Sequence, residues 1–332
     1  MTRQRKTPHG EVVRAIGVLT SGGDSPGMNA AIRAIARRAY SKGCRAVGFK
    51  WGFRGLMDGD TIELESRTVG GILDRGGTFL GTSRSKEFAT EAGQRRALAT
   101  LERVGVDGLV VIGGDGSLAG AHALAAAGLH VVGVPATIDN DVGGTDSTIG
   151  FDTALNTVLD AMYRIRDTAS ALDRVFVVEV MGRTSGQLAL TAAVAGGADL
   201  VVIPEIPWDE KEAGRVTAEG RRNGKMHTLV VVAEGAASGD EVARLLSAYV
   251  PDMDVKVSVL GHLQRGGNPT GIDRLIASQM GAEAVDLLLD GMTDVMVGTD
   301  GTNLQTVSLS FAASQKSAIN PELYKLCQVL AL

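Results

Sequence analysis

An α/β protein with mostly parallel sheets is the fold class this sequence predicts, and three observations carry it. Short β-branched runs alternate with helical patterns along all 332 residues. The runs are apolar throughout rather than at every second residue, as expected of strands covered on both faces by helices. The glycine-rich and carboxylate-bearing segments fall where a strand hands over to a helix, which is where ligands bind in such sheets.

The elements follow in order. The first strand, Ala15–Thr20, runs into the turn Thr20-Ser-Gly-Gly-Asp-Ser-Pro-Gly27 and the helix Met28–Ser41. Strand Ala46–Phe49 comes next, then helix Gln94–Val104. Strand Gly108–Ile112 leads through Gly113-Gly-Asp-Gly-Ser117 into helix Leu118–Ala127. Strand Val131–Val134 leads into Thr137-Ile-Asp-Asn-Asp141 and helix Phe151–Thr168. Strand Val175–Val180 precedes Met181-Gly-Arg183 and helix Gly186–Ala195. Leu200–Ile203, Leu229–Ala233 and Val257–Leu260 complete the strands; Lys211–Asn223, Glu241–Tyr249 and Arg274–Leu289 complete the helices. No fixed repeat and no low-complexity linker interrupts the series.

The length suits two α/β domains or one large one. Hydrophobic residues make up 44% and aromatic residues 4%, while glycine reaches 44 residues, so many turns must approach a neighbour closely or adopt positive φ. A net charge of −5 argues against a bulk nucleic-acid or acidic-membrane partner. Cys44 and Cys327 lie far apart with no metal-ligand spacing, so packing is their expected role. Met1–His9 is basic and polar, reads as a solvated tail around Arg3, Arg5 and Lys6, and lacks the apolar run of a signal peptide. A soluble cytoplasmic protein is the expectation.

Glycine-backed amides can approach phosphate oxygens closely, and carboxylates suit Mg²⁺ or a proton in transfer. Phosphoryl transfer needs both. Neither G-x-G-x-x-G nor the Gly-Lys-Ser/Thr of a P-loop occurs at Gly22–Gly27, which counts against a nicotinamide-dependent dehydrogenase and requires phosphates to be held without a P-loop lysine. Asp115 reads as a Mg²⁺ residue or as a turn former. Asp139 and Asp141, two apart, would share a face of an extended segment, where mutual repulsion raises a pKa or recruits a cation. Arg84 and Arg183, each taken alone, read as surface arginines or anion sites, whereas His262 paired with Arg265 in a glycine-flanked loop suits an anion.

Taken in this order, the blocks Gly17–Ala31, Gly76–Arg84, Gly113–Ser117, Pro135–Gly150, Val178–Gly182 and Leu260–Gly267 strongly resemble the bacterial ATP-dependent 6-phosphofructokinase family, from about Ile16 to Gly298. The resemblance implies two similar three-layer α/β/α domains, residues 1–150 plus 262–312 for ATP and 151–261 plus 313–332 for the sugar phosphate, with the active site in the cleft between them. It implies ATP and fructose 6-phosphate as substrates, Mg²⁺ as cofactor and a homotetramer. Gly23, Arg84, Ser85 and Gly114, Asp115, Gly116 and Ser117 would hold ATP, with Asp115 as the metal residue. Asp139 would accept the proton, helped by Arg183, Arg84 and Thr137. Thr137, Asp139, Met181, Gly182, Arg183, Glu234, His262 and Arg265 would contact the sugar phosphate, with Arg174 and Lys256 reaching it from a neighbouring subunit.

The resemblance also carries departures. Diphosphate-using relatives resemble Gly-Gly-Asp-Asp at the first motif and carry lysine before Thr-Ile-Asp-Asn-Asp. Here Gly116 leaves room for an α-phosphate, and Ala136 is neither that lysine nor the glycine common in ATP-using relatives; the balance favours ATP. Lys256 stands for a family arginine, keeping the charge and losing the two-pronged hydrogen bond. At the effector site of the family, Arg33, Arg37, Arg166, Lys225 and His227 match, Asp199 stands for glutamate, and Ser66, Gly71 and Asn223 replace charged residues. A diphosphate-dependent enzyme, or a kinase of another sugar phosphate such as sedoheptulose 7-phosphate, is the close alternative. A non-catalytic subunit of the same fold would be expected to lack Asp139 or Gly116.

Overall fold

The β-branched runs become strands, and most are shielded on both faces. The structure is a computed structural model that describes residues 13–172 and 174–331. The expectation of a frayed tail over Met1–His9 lies outside the described residues. The described elements are β1 (Ala15–Thr20), α1 (Met28–Ser41), β2 (Arg45–Phe49), α2 (Gly52–Asp58), β3 (Thr61–Glu63), α3 (Glu91–Val104), β4 (Gly108–Gly113), α4 (Asp115–Ala126), β5 (His130–Pro135) and α5 (Phe151–Leu172). There follow β6 (Arg174–Val180), α6 (Gln187–Gly196), β7 (Leu200–Val202), α7 (Glu210–Arg222), β8 (Thr228–Ala233), α8 (Gly239–Tyr249), β9 (Asp254–Val259) and a 3₁₀ turn (Gly261–Arg265). The chain closes with α9 (Gly271–Leu289), β10 (Val295–Asp300), β11 (Asn303–Ser308), α10 (Leu309–Ser314) and α11 (Pro321–Leu330).

Two compact units result. The first takes in the chain up to Ile138, Val142–Asp152 and Arg265–Ser317; the second takes in Asp139–Asp141, Thr153–Gln264 and the chain from Ala318. The first holds a seven-stranded sheet of order β11-β10-β5-β4-β1-β2-β3, antiparallel only at β2–β3 and β10–β11. One face of this sheet buries Ile16, Val18, Val110 and Val132 against Ile32 and Ile35 of α1 and Met280 and Val285 of α9. The other buries Leu19, Leu109 and Val111 against Leu56 of α2, Leu101 of α3 and Leu118 and Leu124 of α4. Burying side chains this large stabilises by roughly 1.5–3 kcal/mol each, which is why fully apolar strands settle in the middle of such a stack.

The second unit holds a four-stranded parallel sheet, β7-β8-β6-β9. Val175, Val177, Val230 and Val232 pack on Val242 and Leu246 of α8 and Ala213 of α7, while α6 and α11 lie on the other side. The expected buried strand Val257–Leu260 is instead an edge strand from Asp254 to Val259, half exposed. Its reading Asp-Val-Lys-Val-Ser-Val alternates, as an edge requires. No described helix is long and apolar enough to cross a membrane. Both cysteines are free. Burial pushes the Cys44 thiol up, and burial followed by the nearby Asp199 charge pushes Cys327 up to about 11, so the two behave as packing groups.

Candidate active site

In the first unit the predicted nucleotide residues lie at the carboxyl ends of β1 and β4. Gly113 stands opposite Pro135 in the parallel register, and Ala136 N–H donates to Gly113 O at 3.0 Å, so β4 and β5 leave the sheet side by side. A Cβ on Gly114 would come 3.7 Å from Thr137 Cβ. The two motifs that sequence reading singled out are therefore juxtaposed. Helices α3, α7, α8, α9, α10 and α11 are each capped by a side chain, from Thr90, Asp209, Ser238, Thr270, Ser308 and Asn320. Helices α1, α2, α4 and α6 begin instead at Gly27, Trp51, Gly114 and Gly186 with no N-cap side-chain bond, and of these α1 and α4 follow the motifs at the ends of β1 and β4. Uncapped first-turn amides at a helix N-terminus favour an anion.

Gly116 separates fold from function. It is exposed, its φ is ordinary, and a Cβ there meets nothing within 4 Å. A helix prefers alanine to glycine by about 1 kcal/mol, so nothing in the fold calls for glycine here, whereas close approach of a ligand does. Asp115 is exposed, and its Oδ1 accepts the Gly116 N–H at 2.6 Å. Among the described residues no three His, Cys, Asp or Glu side chains cluster as a metal cage. A lone exposed carboxylate at a helix N-terminus fits Mg²⁺, which keeps water and substrate phosphate oxygens in its shell and takes one or two carboxylates from a protein. Ser117 is buried, with its Oγ beneath Gly113: a Cβ on that glycine would lie 2.5 Å away.

The turn after β1 carries a second layer. Arg265 Nη1 donates to Asp24 O at 3.0 Å, and a Cβ on Gly23 would lie 2.8 Å from that nitrogen. Glycine at 23 is what lets the guanidinium lie on the turn. The segment Gly76–Ser85 is fastened to the same turn. Thr20 Oγ1 meets Thr78 Oγ1 at 2.8 Å, Thr82 Oγ1 donates to Gly22 O at 2.9 Å, and Asn29 Nδ2 donates to Arg75 O at 3.0 Å. Ser85 Oγ accepts the Phe88 N–H. Arg84 projects from this fastened loop, exposed and with no hydrogen bond or ion pair among the described residues.

In the second unit three adjacent parallel strands end level with one another. Val180 pairs with Ala233 and Glu179 with Val259. Beyond these rungs come Met181, Gly182 and Arg183 from β6, Glu234 from β8 and His262 from β9. Gly182 has φ +140, a conformation for glycine alone, and Gly235 N–H donates to Gly182 O at 3.2 Å. A Cβ on Gly235 would lie 2.0 Å from Arg183 O, so glycine there lets the Arg183 loop lie flat on its neighbour. Arg183, Glu234 and His262 are all exposed. Asp139 belongs to this unit and is half buried; its carbonyl accepts the Ser185 hydroxyl at 2.9 Å. The expected shared face of Asp139 and Asp141 does not form. Asn140 between them has φ +48, and a left-handed residue breaks the alternation that an extended segment would give.

Arg174 and Lys256 meet on one carboxylate that sequence reading missed. Arg174 lies opposite Asp254 across β6 and β9, with its Nε 3.2 Å from Asp254 Oδ2, and Lys256 Nζ is 2.9 Å from Asp254 Oδ1. The Lys256 hydrogen bond, with the charges of Lys256 and Arg174, holds the Asp254 carboxyl below its ordinary range. The i, i+2 spacing of Asp254 and Lys256 on a strand was the available signal. Gln264, a lone glutamine in a glycine-flanked turn, carries no comparable signal.

The effector-type residues divide between the units. Arg33 and Arg37 lie one turn apart on α1, where burial and then the Arg37 charge lower the Arg33 pKa. In the second unit Lys225 Nζ lies 2.5 Å from Asp199 Oδ1 and 2.8 Å from Ala331 O. Arg166 donates to the carbonyls of Gly196 and Gly197, and His227 Nδ1 lies 3.1 Å from Ser170 Oγ. An anionic effector would compete with these contacts.

Comparison with known proteins gives these motifs a family. The phosphofructokinase family model matches residues 15–288. The chain is 50% identical over 320 residues to the ATP-dependent 6-phosphofructokinase of Halalkalibacterium halodurans, covering 96% of this chain and 100% of that one. It is 49% identical, with the same coverage, to the ATP-dependent 6-phosphofructokinase of Thermotoga neapolitana. The solved phosphofructokinase of Saccharomyces cerevisiae superposes with a TM-score of 0.85 at 35% identity; the match covers 96% of this chain and spans about half, 48%, of the yeast chain. Both sheets, the strand-end motifs and nearly the full length thus agree on one assignment: this chain belongs to the phosphofructokinase family.

Proposed function

We propose that this protein is an ATP-dependent 6-phosphofructokinase, a glycolytic phosphotransferase that moves the γ-phosphoryl of ATP to the 1-hydroxyl of fructose 6-phosphate. The products are fructose 1,6-bisphosphate and ADP. The observation that carries the reading is the N-terminus of α4, which has no N-cap side chain, is open at Gly116, and carries in its first turn an Asp115 carboxylate that takes the Gly116 N–H. ATP rather than diphosphate is the donor, because an aspartate at 116 would repel an α-phosphate and Gly116 does not.

The amides of Gly114, Gly116 and Ser117, with Gly23 and Ser85, bind the triphosphate. Asp115 would hold Mg²⁺, which would supply positive charge against the triphosphate. Asp139 takes the proton of the 1-hydroxyl as that oxygen bonds to phosphorus and the bond to the ADP oxygen breaks, a contribution of roughly 10²–10⁴ in rate. Arg84, Arg183 and the Thr137 hydroxyl stabilise the equatorial oxygens, where charge resides in a loose transition state. Met181, Gly182, Glu234, His262 and Arg265 orient the sugar phosphate, with Arg174 and Lys256 reaching it across a subunit boundary of a homotetramer. Binding energy at the distal phosphate aligns the hydroxyl and breaks no bond. The seven-stranded unit serves ATP and the four-stranded unit the sugar phosphate, with the chain passing between them at 264/265 and 317/318 rather than at the expected 261/262 and 312/313. A cytoplasmic location, and a weaker effector site at Arg33, Arg37, Arg166, Asp199, Lys225 and His227, belong to the same reading.

The test is an assay of the purified protein with ATP or diphosphate against fructose 6-phosphate and sedoheptulose 7-phosphate. Turnover is expected to be fastest with ATP and fructose 6-phosphate. Comparable or faster turnover with diphosphate, or with the seven-carbon sugar, overturns it.

A further inference from the structure

Gln264 is 0% exposed, although it lies in a glycine-flanked turn between two exposed residues of the candidate site, His262 and Leu263, and Arg265. A buried amide must be hydrogen-bonded at both ends. Its Oε1 accepts the Met181 N–H at 3.1 Å, and its Nε2 donates to Gly261 O at 3.0 Å. Met181 is the first residue beyond β6, and Gly261 is the second beyond β9. The last backbone hydrogen bond between these strands is Leu260 N–H to Glu179 O at 3.0 Å. The carboxamide has the donor and acceptor of a peptide group, so it adds one more rung after the backbone ladder has stopped. The two residues it joins flank glycines in special conformations: Gly182 follows Met181 with φ +140, and Gly261 has φ +49. Left to themselves, turns anchored by such glycines have wide backbone freedom.

From this we infer that Gln264 is a positioning residue: its side-chain rung sets the Met181–Arg183 turn against the His262 turn and thereby sets affinity for the sugar phosphate. The consequence for affinity rests on the functional reading above; the rung itself does not. Gln264 touches no substrate.

Two variants of near-equal volume test it. Gln264→Met removes donor and acceptor. Gln264→Glu keeps an acceptor for Met181, loses the donor when ionised, and regains the original pattern when protonated. Wild-type turnover of ATP with fructose 6-phosphate is measured first, and its absence would count against the functional reading. In Gln264→Met the KM for fructose 6-phosphate is expected to rise about tenfold or more, as for a buried group left unpartnered, with the KM for ATP within about twofold of wild type. In Gln264→Glu the sugar KM, taken relative to wild type at each pH, is expected to fall back toward unity as acid protonates the buried carboxyl, whose pKa burial raises. Amide hydrogen exchange supplies a readout independent of turnover: it should quicken at 181–183 and 261–263 in Gln264→Met and stay unchanged over β4 and α4. An unchanged sugar KM in both variants, or equal rises in both KM values with exchange quickened throughout, overturns the inference.

Discussion

Asp139 and Gly116 act on different sides of the proposed reaction, and substitution separates them. Asp139→Ser should lower kcat by about 10² or more while ATP binding, measured by calorimetry, persists; an unchanged kcat removes the base assignment. Gly116→Ala is the more telling change at the nucleotide. The site has room for a methyl group and a helix favours it, so thermal stability should hold or rise. The KM for ATP should rise nonetheless, and rise further in Gly116→Asp. A stable Gly116→Ala enzyme with unaltered ATP affinity would return Gly116 to an ordinary surface residue. Lys256→Arg should lower the KM for fructose 6-phosphate about fivefold, the worth of one charged hydrogen bond near 1 kcal/mol, and leave the KM for ATP alone. Lys256 is tied to Asp254, shared with Arg174, so on the proposed reading an incoming phosphate would compete with a carboxylate already in place.

Among the elements, α1 and α9 are joined by an ion pair that sequence could not reveal. Arg38 and Lys42 both meet Asp286, across a separation of more than two hundred residues. Burial works to raise the Asp286 carboxyl, but hydrogen bonds from Arg38 and Lys42, with their charges, leave it below its ordinary value. A depressed folded-state pKa contributes stability above the unfolded value and loses it as pH falls through the folded one. Asp286→Asn should therefore lower the melting temperature near neutral pH. The pair is partly exposed, so the loss should be on the order of 1 kcal/mol or less. The gap from wild type should close as pH drops below about 3.9; a gap that persists in acid would mean that packing, not charge, joins the helices. The strands of both sheet centres were legible because complete burial leaves a continuous apolar run, as in β1 and β4. Helix beginnings were not: α3, α4 and α9 each start three residues before the apolar pattern announces them, because a first turn held by Thr90, Gly114 or Thr270 needs no apolar side chain. Short α2 is too brief to show a period and β11 is half exposed, whereas β10 is mostly buried and its short Val-Met-Val run was overlooked. The site motifs were legible residue by residue, but Gln264 and Asp254 act through partners that only strand pairing supplies.

At the scale of the whole molecule, the proposed homotetramer predicts that activity depends on protein concentration. Dilution that dissociates the oligomer should raise the sugar KM, as should Lys256→Ala, because Arg174 and Lys256 would then be lost to the neighbouring site. Full activity of a monomer, shown by sedimentation alongside the assay, would place those two cations outside the reaction. The division into units has a further consequence. Each unit is assembled from three separate stretches of chain, and the seven-stranded sheet takes its β10 and β11 from near the end. On the ribosome, β5 is complete at Pro135, but the strand that covers its outer flank is complete only at Asp300. At roughly 5–20 residues per second the interval is on the order of ten seconds. Throughout it Val131, Val132 and Val134 belong to an uncovered sheet edge, the kind that recruits other chains. A nascent chain halted between residues 136 and 294 should therefore aggregate unless a chaperone covers that edge, whereas one released after 315 should not. The period of greatest risk for this protein falls during its own synthesis.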